Sequence, residues 1–209
     1  MKIYLETQIE QRSDEWFIAK QGKISASDIG DLLGTKNART KYIQKKAFEI
    51  LRNPPLAGVD DIMTRDMQRG IDNEPAAVSN IENRLSISDL KVGYVQFTDY
   101  FGFSPDFIDT TKTVGAEIKC LQSAAMADAV FNNAVMNKKH YWQCLTYFLV
   151  PTIQTVHYAL FSPWEDNADG EDYLYLITLE REDYQDAIEE LREAITEASV
   201  EIFNLRKKL

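Results

Sequence analysis

The spacing of apolar residues predicts helices at both ends of the chain and strands in the middle. Apolar positions recur at helical spacing before residue 52 and again from Met63 to about Leu85, where Gly70 and Pro75 predict an interruption or a bend. The sequence RNPPLAGVDD, residues 52–61, separates these regions. It predicts a loop, because paired prolines and a glycine exclude a continuous helix.

Residues 92–121 have a different pattern, rich in β-branched and aromatic residues. The segments VGYVQFTDYFGFSPDFID and VGAEIKCL flank a turn-like sequence at 109–113, and this arrangement predicts strands joined by tight connections. A helix is expected from about Ser123 to Phe148, broken near 132–133, followed by strands at IQTVHYALF and YLYLITL. The order of elements predicts an α+β fold with one central sheet.

A final helix is predicted from Tyr184 onward. Its apolar residues step by four and three along an otherwise charged sequence, at Ile188, Leu191, Ile195, Ala198, Ile202 and Leu205. Such a stripe favours docking on the same domain over pairing with a coiled-coil partner.

Composition limits the class of protein. The 209 residues, 44% of them hydrophobic, predict one domain spanning 1–209 with a substantial core. The net charge of −10 argues against a generally basic nucleic-acid-binding surface but leaves room for a local basic groove. Cys120 and Cys144 lack metal-type spacing, so free buried thiols are expected. With no apolar signal segment or membrane-spanning run, the sequence predicts a cytoplasmic protein without a membrane partner.

Asp106, Glu117 and Lys119 form the candidate chemistry. In a hairpin whose turn centres between Thr111 and Lys112, the two acids lie opposite each other with β-carbons about 5 Å apart. Two ionised carboxylates that close repel unless a cation lies between them, which predicts a divalent metal. Strand alternation adds Lys119 to the same face, and the group suits phosphodiester hydrolysis. The alternative is a surface hairpin with a cross-strand salt bridge.

Five short motifs, in order, resemble the lambda-exonuclease and YqaJ-type viral recombinase nucleases of the PD-(D/E)XK superfamily. They are DEWFIAKQGKISASDIG (14–30), RGIDNEPAA (69–77), FSPDF (103–107), EIKC (117–120) and HYWQCLTY (140–147). The resemblance implies a restriction-endonuclease-like core, a central mixed β-sheet flanked by helices. Two departures are Phe107 in place of a glycine and Leu121 in place of a proline, which put the local backbone shape in doubt.

The resemblance also implies roles for individual residues. Asp106 and Glu117 become metal ligands together with the main-chain carbonyl of Ile118, and Lys119 becomes the catalytic lysine. Two further residues are implied at the same site, Glu74 as an acid that completes the metal site or positions water, and Gln143 beside the lysine. Without the resemblance, they would be a solvated glutamate and a surface amide. The expected cofactor is Mg²⁺, with Mn²⁺ able to substitute and two ions per site.

A pocket for a 5′-terminal phosphate is implied at Lys20 and Ser27. Lys20 stands where lambda exonuclease has arginine, and because lysine lacks the bidentate fork, the pocket is expected to discriminate less sharply. Arg12 would supply the two parallel guanidinium donors that Lys20 lacks. The alternative is that Arg12 is an ordinary surface arginine. Trp16 stacks on DNA in one interpretation and packs in the core in the other. Ser25 is an alternative to Ser27, and either serine would otherwise cap a helix.

Residues 36–52 form a basic segment that is expected to contact the DNA backbone without reading sequence. Its cations, against the single acid Glu49, are Lys36, Arg39, Lys41, Lys45, Lys46 and Arg52. The alternative is an ordinary solvated helix face. Acidic residues concentrate between 165 and 201 and are expected to lie away from the DNA.

Together with these observations, the resemblance implies a Mg²⁺-dependent, sequence-nonspecific exonuclease that degrades one strand of linear double-stranded DNA from its 5′ ends. It would leave 3′ overhangs for a single-strand annealing protein in phage-type recombination. The resemblance implies a homotrimeric ring in the host cytoplasm. The alternatives are an endonuclease, a Cas4-like nuclease and a catalytically silent DNA-binding module. The iron–sulfur form of a Cas4-like nuclease is disfavoured, because the sequence lacks a cysteine quartet.

Overall fold

The strands form two sheets in the computed structural model, which describes residues 4–51, 64–132, 136–166 and 172–209. The first sheet is antiparallel and consists of β1 (Tyr4–Glu6), β2 (Tyr94–Thr98) and β3 (Phe101–Phe103). The second is mixed and consists, in spatial order, of β4 (Phe107–Ile108), β5 (Val114–Cys120), β6 (Thr155–Asp166) and β7 (Asp172–Glu180). Only β5 and β6 run parallel in the second sheet as described.

Helices surround the two sheets. They are α1 (Asp14–Lys20), α2 (Ile29–Leu32), α3 (Lys36–Glu49), α4 (Arg65–Leu85), α5 (Ser123–Phe131), α6 (Lys138–Tyr147) and α7 (Gln185–Arg206). Four of them begin after a residue whose side-chain oxygen accepts a hydrogen bond from a main-chain N–H of the first turn, namely Ser13, Thr35, Thr64 and Asn137. These caps satisfy amide groups that have no partner within the helix.

Most of the predicted elements are present, and the α+β class with a central mixed sheet is confirmed. The three-stranded sheet, including β1, was not predicted. Of the two predicted alternatives near Gly70 and Pro75, the interruption is wrong, because α4 runs through both residues. Pro75 is exposed and removes one helical hydrogen bond, while Ala77 and Ile81 still bury the inner face of α4. The predicted loop at 52–61 lies outside the described residues.

Both faces of the mixed sheet carry apolar cores. On one face, Ala77 and Ile81 of α4 share a cluster with Ile118 of β5 and Phe161 of β6. The larger cluster includes α6, α7 and the three-stranded sheet. The predicted apolar stripe of α7 docks there, with five of its residues buried, namely Ile188, Leu191, Ile195, Ala198 and Ile202.

The prediction for the two cysteines can also be checked. Cys120 and Cys144 are free and buried, as expected. No helix in the described ranges is long and apolar enough to cross a membrane.

The register of the mixed sheet determines which side chains can meet. Phe107 pairs with Ala116 and Ile108 pairs with Gly115, so the same register places residue 106 opposite residue 117. Ile118 points toward α4, and because side chains alternate along a strand, Glu117 and Lys119 point to the opposite face.

Candidate active site

Asp106, Glu117 and Lys119 converge at one end of β5. The Lys119 Nζ lies 2.5 Å from Glu117 Oε1, and the main-chain N–H of Ile118 donates to Asp106 Oδ2 at 2.7 Å. Glu117 is buried, with 2% of its surface exposed. All of these residues line one cavity of about 520 Å³, the catalytic cavity, which Glu74 and Gln143 also line.

A buried tyrosine at the end of α6 connects the two acidic segments. The Tyr147 hydroxyl accepts a hydrogen bond from the main-chain N–H of Asp106 at 2.9 Å and donates to the carbonyl of Ala116 at 2.8 Å. The same oxygen lies 3.2 Å from Glu117 Oε2. Gly115 makes room for the ring, because a β-carbon there would lie 2.5 Å from Tyr147 Cδ1.

Tyr147 was not among the residues predicted from the sequence. One signal was available, because Tyr147 follows Gln143 by four residues and such pairs share a helix face. The sequence does not reveal that the hydroxyl meets Asp106 and Glu117, which lie 41 and 30 residues away.

Burial and charge perturb the titration of the site. Burial raises the pKa of Asp106 well above its usual range, and the negative charge of Glu117 raises it further, while Lys119 acts in the opposite direction. Burial alone would lower the pKa of Lys119, but Glu117 and Asp106 outweigh that effect and raise the pKa overall. In this environment Lys119 is therefore a positively charged hydrogen-bond donor.

The donor set at this position fits a divalent metal ion. Asp106 and Glu117 offer carboxylate oxygens, and Ile118 offers a main-chain carbonyl beside them on the same strand. Mg²⁺ in enzymes commonly takes one or two carboxylates and completes its shell with water and substrate phosphate. Within the described ranges no group of three or more His, Cys, Asp or Glu side chains is placed to hold a metal ion, so the fit depends on these two acids.

Glu74 lies at the edge of the catalytic cavity and faces Arg12. Their closest atoms, Arg12 Nη2 and Glu74 Oε2, are 3.4 Å apart, and 45% of the arginine side chain is exposed. Both residues also line a second cavity of about 650 Å³. Gln11, the residue before Arg12, donates a side-chain hydrogen bond to the carbonyl of Pro105 at 2.9 Å. Pro105 directly precedes Asp106, so this bond holds the chain around Arg12 next to the site.

The predicted phosphate-pocket residues are only partly brought together. Trp16 lines the catalytic cavity, and its indole N–H donates to Ser104 Oγ at 2.6 Å. Lys20 Nζ lies 3.7 Å from the centre of the Trp16 ring, so the lysine covers one face of the indole. Neither Lys20 nor Ser27 lines the cavity itself.

The two candidate serines interact with each other. Ser25 Oγ lies 2.9 Å from Ser27 Oγ and donates to Asp28 Oδ2 at 2.9 Å. Neither serine caps α2, because the N-cap residue of α2 is Asp28. Ser25 precedes the short 3₁₀ turn before α2, but its side chain makes no cap hydrogen bond to that turn.

The two lysines predicted to contact DNA differ in exposure. Lys45 is exposed over 61% of its side chain, and its Nζ is 4.0 Å from Glu49. Lys46 is only 12% exposed and is paired with Glu49 at 3.1 Å and with Asp28 at 3.7 Å. Lys45 is therefore available to a phosphate, whereas Lys46 is largely engaged within the protein.

The basic segment contacts the acidic C-terminal helix where α3 meets α7. Arg39 Nη1 lies 2.6 Å from Glu201 Oε1, and Arg39 Nη2 lies 3.5 Å from Glu197 Oε2. The helices come together because Tyr42 and Ile43 of α3 belong to the same apolar cluster as the stripe of α7.

Comparison with known proteins adds a family and a set of similar structures. The family profile described as the YqaJ-like viral recombinase domain matches residues 15–154. The crystal structure of an alkaline exonuclease (LHK-Exo) from Laribacter hongkongensis has a TM-score of 0.70 and 21% identity, over 94% of this chain and 97% of that one. A structure of LHK-Exo in complex with dAMP has the same TM-score and coverage and 22% identity.

A phage-related exonuclease from Haemophilus somnus 129PT is also similar, with a TM-score of 0.60 and 11% identity over 92% of this chain and 98% of that one. No match was found among curated proteins. At these identities the structural likeness establishes the fold alone.

Proposed function

Because the chain belongs to the YqaJ-like viral recombinase domain family, we propose that it is a Mg²⁺-dependent exonuclease acting on linear double-stranded DNA. It would degrade one strand from the 5′ end and leave a 3′ overhang for a single-strand annealing protein. The observation that carries this proposal is the convergence of Asp106, Glu117 and Lys119 in one cavity. A mononucleotide, such as the dAMP in complex with LHK-Exo, is the kind of product that an exonuclease releases.

The chemistry would divide between the metal and the side chains around it. A divalent cation held by Asp106, Glu117 and the Ile118 carbonyl would offset charge on the scissile phosphate and lower the pKa of a bound water. Lys119, as a charged donor, would orient that water or stabilise a phosphate oxygen as charge develops there. Tyr147 would keep both carboxylates in place through its contacts with Asp106 and Glu117.

The surrounding residues would hold the DNA end. Arg12 lies 3.4 Å from Glu74 and is almost half exposed, so its guanidinium has donors to offer a terminal phosphate. Glu74 and Gln143 would position water and the scissile phosphate from the cavity wall. Lys45 would contact the DNA backbone, since its side chain is exposed.

The extent and assembly of the enzyme are part of the same proposal. We take residues 1–209 as a single nuclease domain that assembles as a homotrimeric ring in the cytoplasm. This assembly follows from the family resemblance, and sedimentation of the purified protein would measure it.

A digestion experiment tests the function directly. Linear duplex DNA is labelled at either end, carries a 5′-phosphate or a 5′-hydroxyl, and is compared with a closed circle in Mg²⁺, Mn²⁺ or EDTA. We expect metal-dependent release of mononucleotides from the 5′ end, with Lys119→Ala binding DNA but degrading it far more slowly. Rapid cutting of the circle would instead favour an endonuclease, and degradation in EDTA would refute the metal site.

A further inference from the structure

Tyr158 lies beside the catalytic residues on the neighbouring strand. On the parallel strands β5 and β6, Tyr158 is paired in register with Glu117. Side chains at paired positions point to the same face of a sheet, so Tyr158 shares the face that carries Glu117 and Lys119. The tyrosine is buried, with 6% of its surface exposed.

The Tyr158 hydroxyl belongs to a hydrogen-bonded chain that begins at the cap of α6. Asn137 Oδ1 accepts a hydrogen bond from the main-chain N–H of His140 at 2.9 Å. This contact fixes the orientation of the Asn137 amide, so its Nδ2 faces His140 Nδ1 at 3.0 Å as a donor. His140 Nδ1 is therefore an acceptor, and the ring carries its proton on Nε2.

The direction of the Tyr158 hydroxyl follows from this tautomer. Its oxygen lies 2.6 Å from the same Nδ1, so in this tautomer Tyr158 donates, and the Nδ1 lone pair is shared between Tyr158 and Asn137 Nδ2. Burial, together with the positive charges of Lys119 and Lys139, lowers the pKa of His140 to about 4, which keeps the ring neutral near pH 7. The lone pairs of the Tyr158 oxygen are thus left for a donor other than His140.

Lys119 lies on the same face of the sheet as Tyr158, so it is a cation placed to fill that role. In the structure its ammonium donates to Glu117, the residue that would also bind the metal. A lysine ammonium has three N–H donors, and a carboxylate that binds a metal is a weaker acceptor, so Lys119 can then direct one donor to Tyr158. Lys119 follows Glu117 by two residues on β5, and Tyr158 is paired in register with Glu117, so Lys119 and Tyr158 are diagonal neighbours on one face of the sheet.

We propose that Tyr158, oriented by His140 and Asn137, is a positioning residue that accepts a hydrogen bond from Lys119 when Glu117 is engaged by the metal. The inference rests on the proposed nuclease function. Tyr158 touches no substrate in this scheme and acts only through the lysine.

A double-mutant cycle tests the link between the two residues. Single-turnover rates on 5′-phosphorylated duplex are measured for the parent, Tyr158→Phe, Lys119→Gln and the double variant, with Tyr175→Phe on β7 as a matched control. We expect Tyr158→Phe to lower the rate about tenfold or more without changing KM, as for loss of a hydrogen bond to a charged group. The same change should have no further effect when Lys119 is already replaced. A parental rate for Tyr158→Phe, or an equal loss in both backgrounds, would overturn the inference.

A measurement without DNA separates this inference from the proposed function. With Mn²⁺ bound, the rate at which an acetylating reagent modifies Lys119 is followed by mass spectrometry, and Lys45 provides the internal reference. Tyr158→Phe should speed modification of Lys119 severalfold and leave Lys45 and the calorimetric Mn²⁺ affinity unchanged. Equal modification of Lys119 in both proteins would refute the contact, whereas a parent protein that binds Mn²⁺ but degrades no DNA would refute the function instead.

Discussion

Replacing Tyr147 by phenylalanine removes a single oxygen atom that three neighbouring groups share. The main-chain N–H of Asp106 loses its acceptor, the carbonyl of Ala116 loses its donor, and Glu117 loses a contact at 3.2 Å. Tyr147 is fully buried, so water cannot easily replace the hydroxyl. An unsatisfied polar group in such a place costs about 1–3 kcal/mol.

The expected loss in the free energy of unfolding is therefore about 1–3 kcal/mol, since the main-chain N–H of Asp106 is left without its acceptor. With a urea m-value of about 2 kcal/mol/M, the midpoint of unfolding should fall by about 0.5–1.5 M. The nuclease rate should fall as well, because Asp106 and Glu117 lose the group that connects them.

Tyr94→Phe is the matched control. Tyr94 is also buried, with 1% of its surface exposed, but its hydroxyl has no hydrogen-bond partner among the described residues. Removing that hydroxyl should leave the unfolding midpoint unchanged or raise it. Equal midpoints for Tyr147→Phe and the parent, or equal losses for the two tyrosine variants, would contradict this account of the site.

Three further variants have defined outcomes. Gly115→Ala puts a β-carbon 2.5 Å from the Tyr147 ring, so it should cost about 1–3 kcal/mol in urea unfolding and lower the nuclease rate; unchanged values would show that the ring has room. His140 has its pKa lowered to about 4, so the folded parent should lose stability as the pH falls from 6.5 toward 4, and His140→Phe should lose less. Thermal unfolding at several pH values measures this, and parallel curves would contradict it. Arg12→Gln should reduce the rate on 5′-phosphorylated ends about tenfold and on 5′-hydroxyl ends much less, with Arg192→Gln as the control; an unchanged ratio would exclude Arg12 from phosphate recognition.

Local rules were sufficient to predict the centre of the site. The turn near Thr111 sets the register that places residue 106 opposite residue 117, and strand alternation separates Ile118 from Glu117 and Lys119. Both rules act over a few residues, so a single sequence contains them.

Contacts between distant parts of the chain could not be predicted in the same way. Tyr4 pairs with Gln96 across the first sheet, and Arg39 meets Glu201 across two helices. Neither partner carries a local signal for the other, because the contact depends on how whole elements pack. The same reason explains why the joint role of Tyr147 was missed, although its position on α6 was predicted.

The path of the chain between the two sheets has a mechanical consequence. Residues 104–106 connect β3 of the three-stranded sheet to β4 of the mixed sheet, whereas Glu117 belongs entirely to the mixed sheet. Any sliding of one sheet over the other would therefore change the gap between the two acids. A displacement of the three-stranded sheet, for instance one imposed at β1, would therefore weaken the affinity of the site for a cation, even though neither Asp106 nor Glu117 had been replaced.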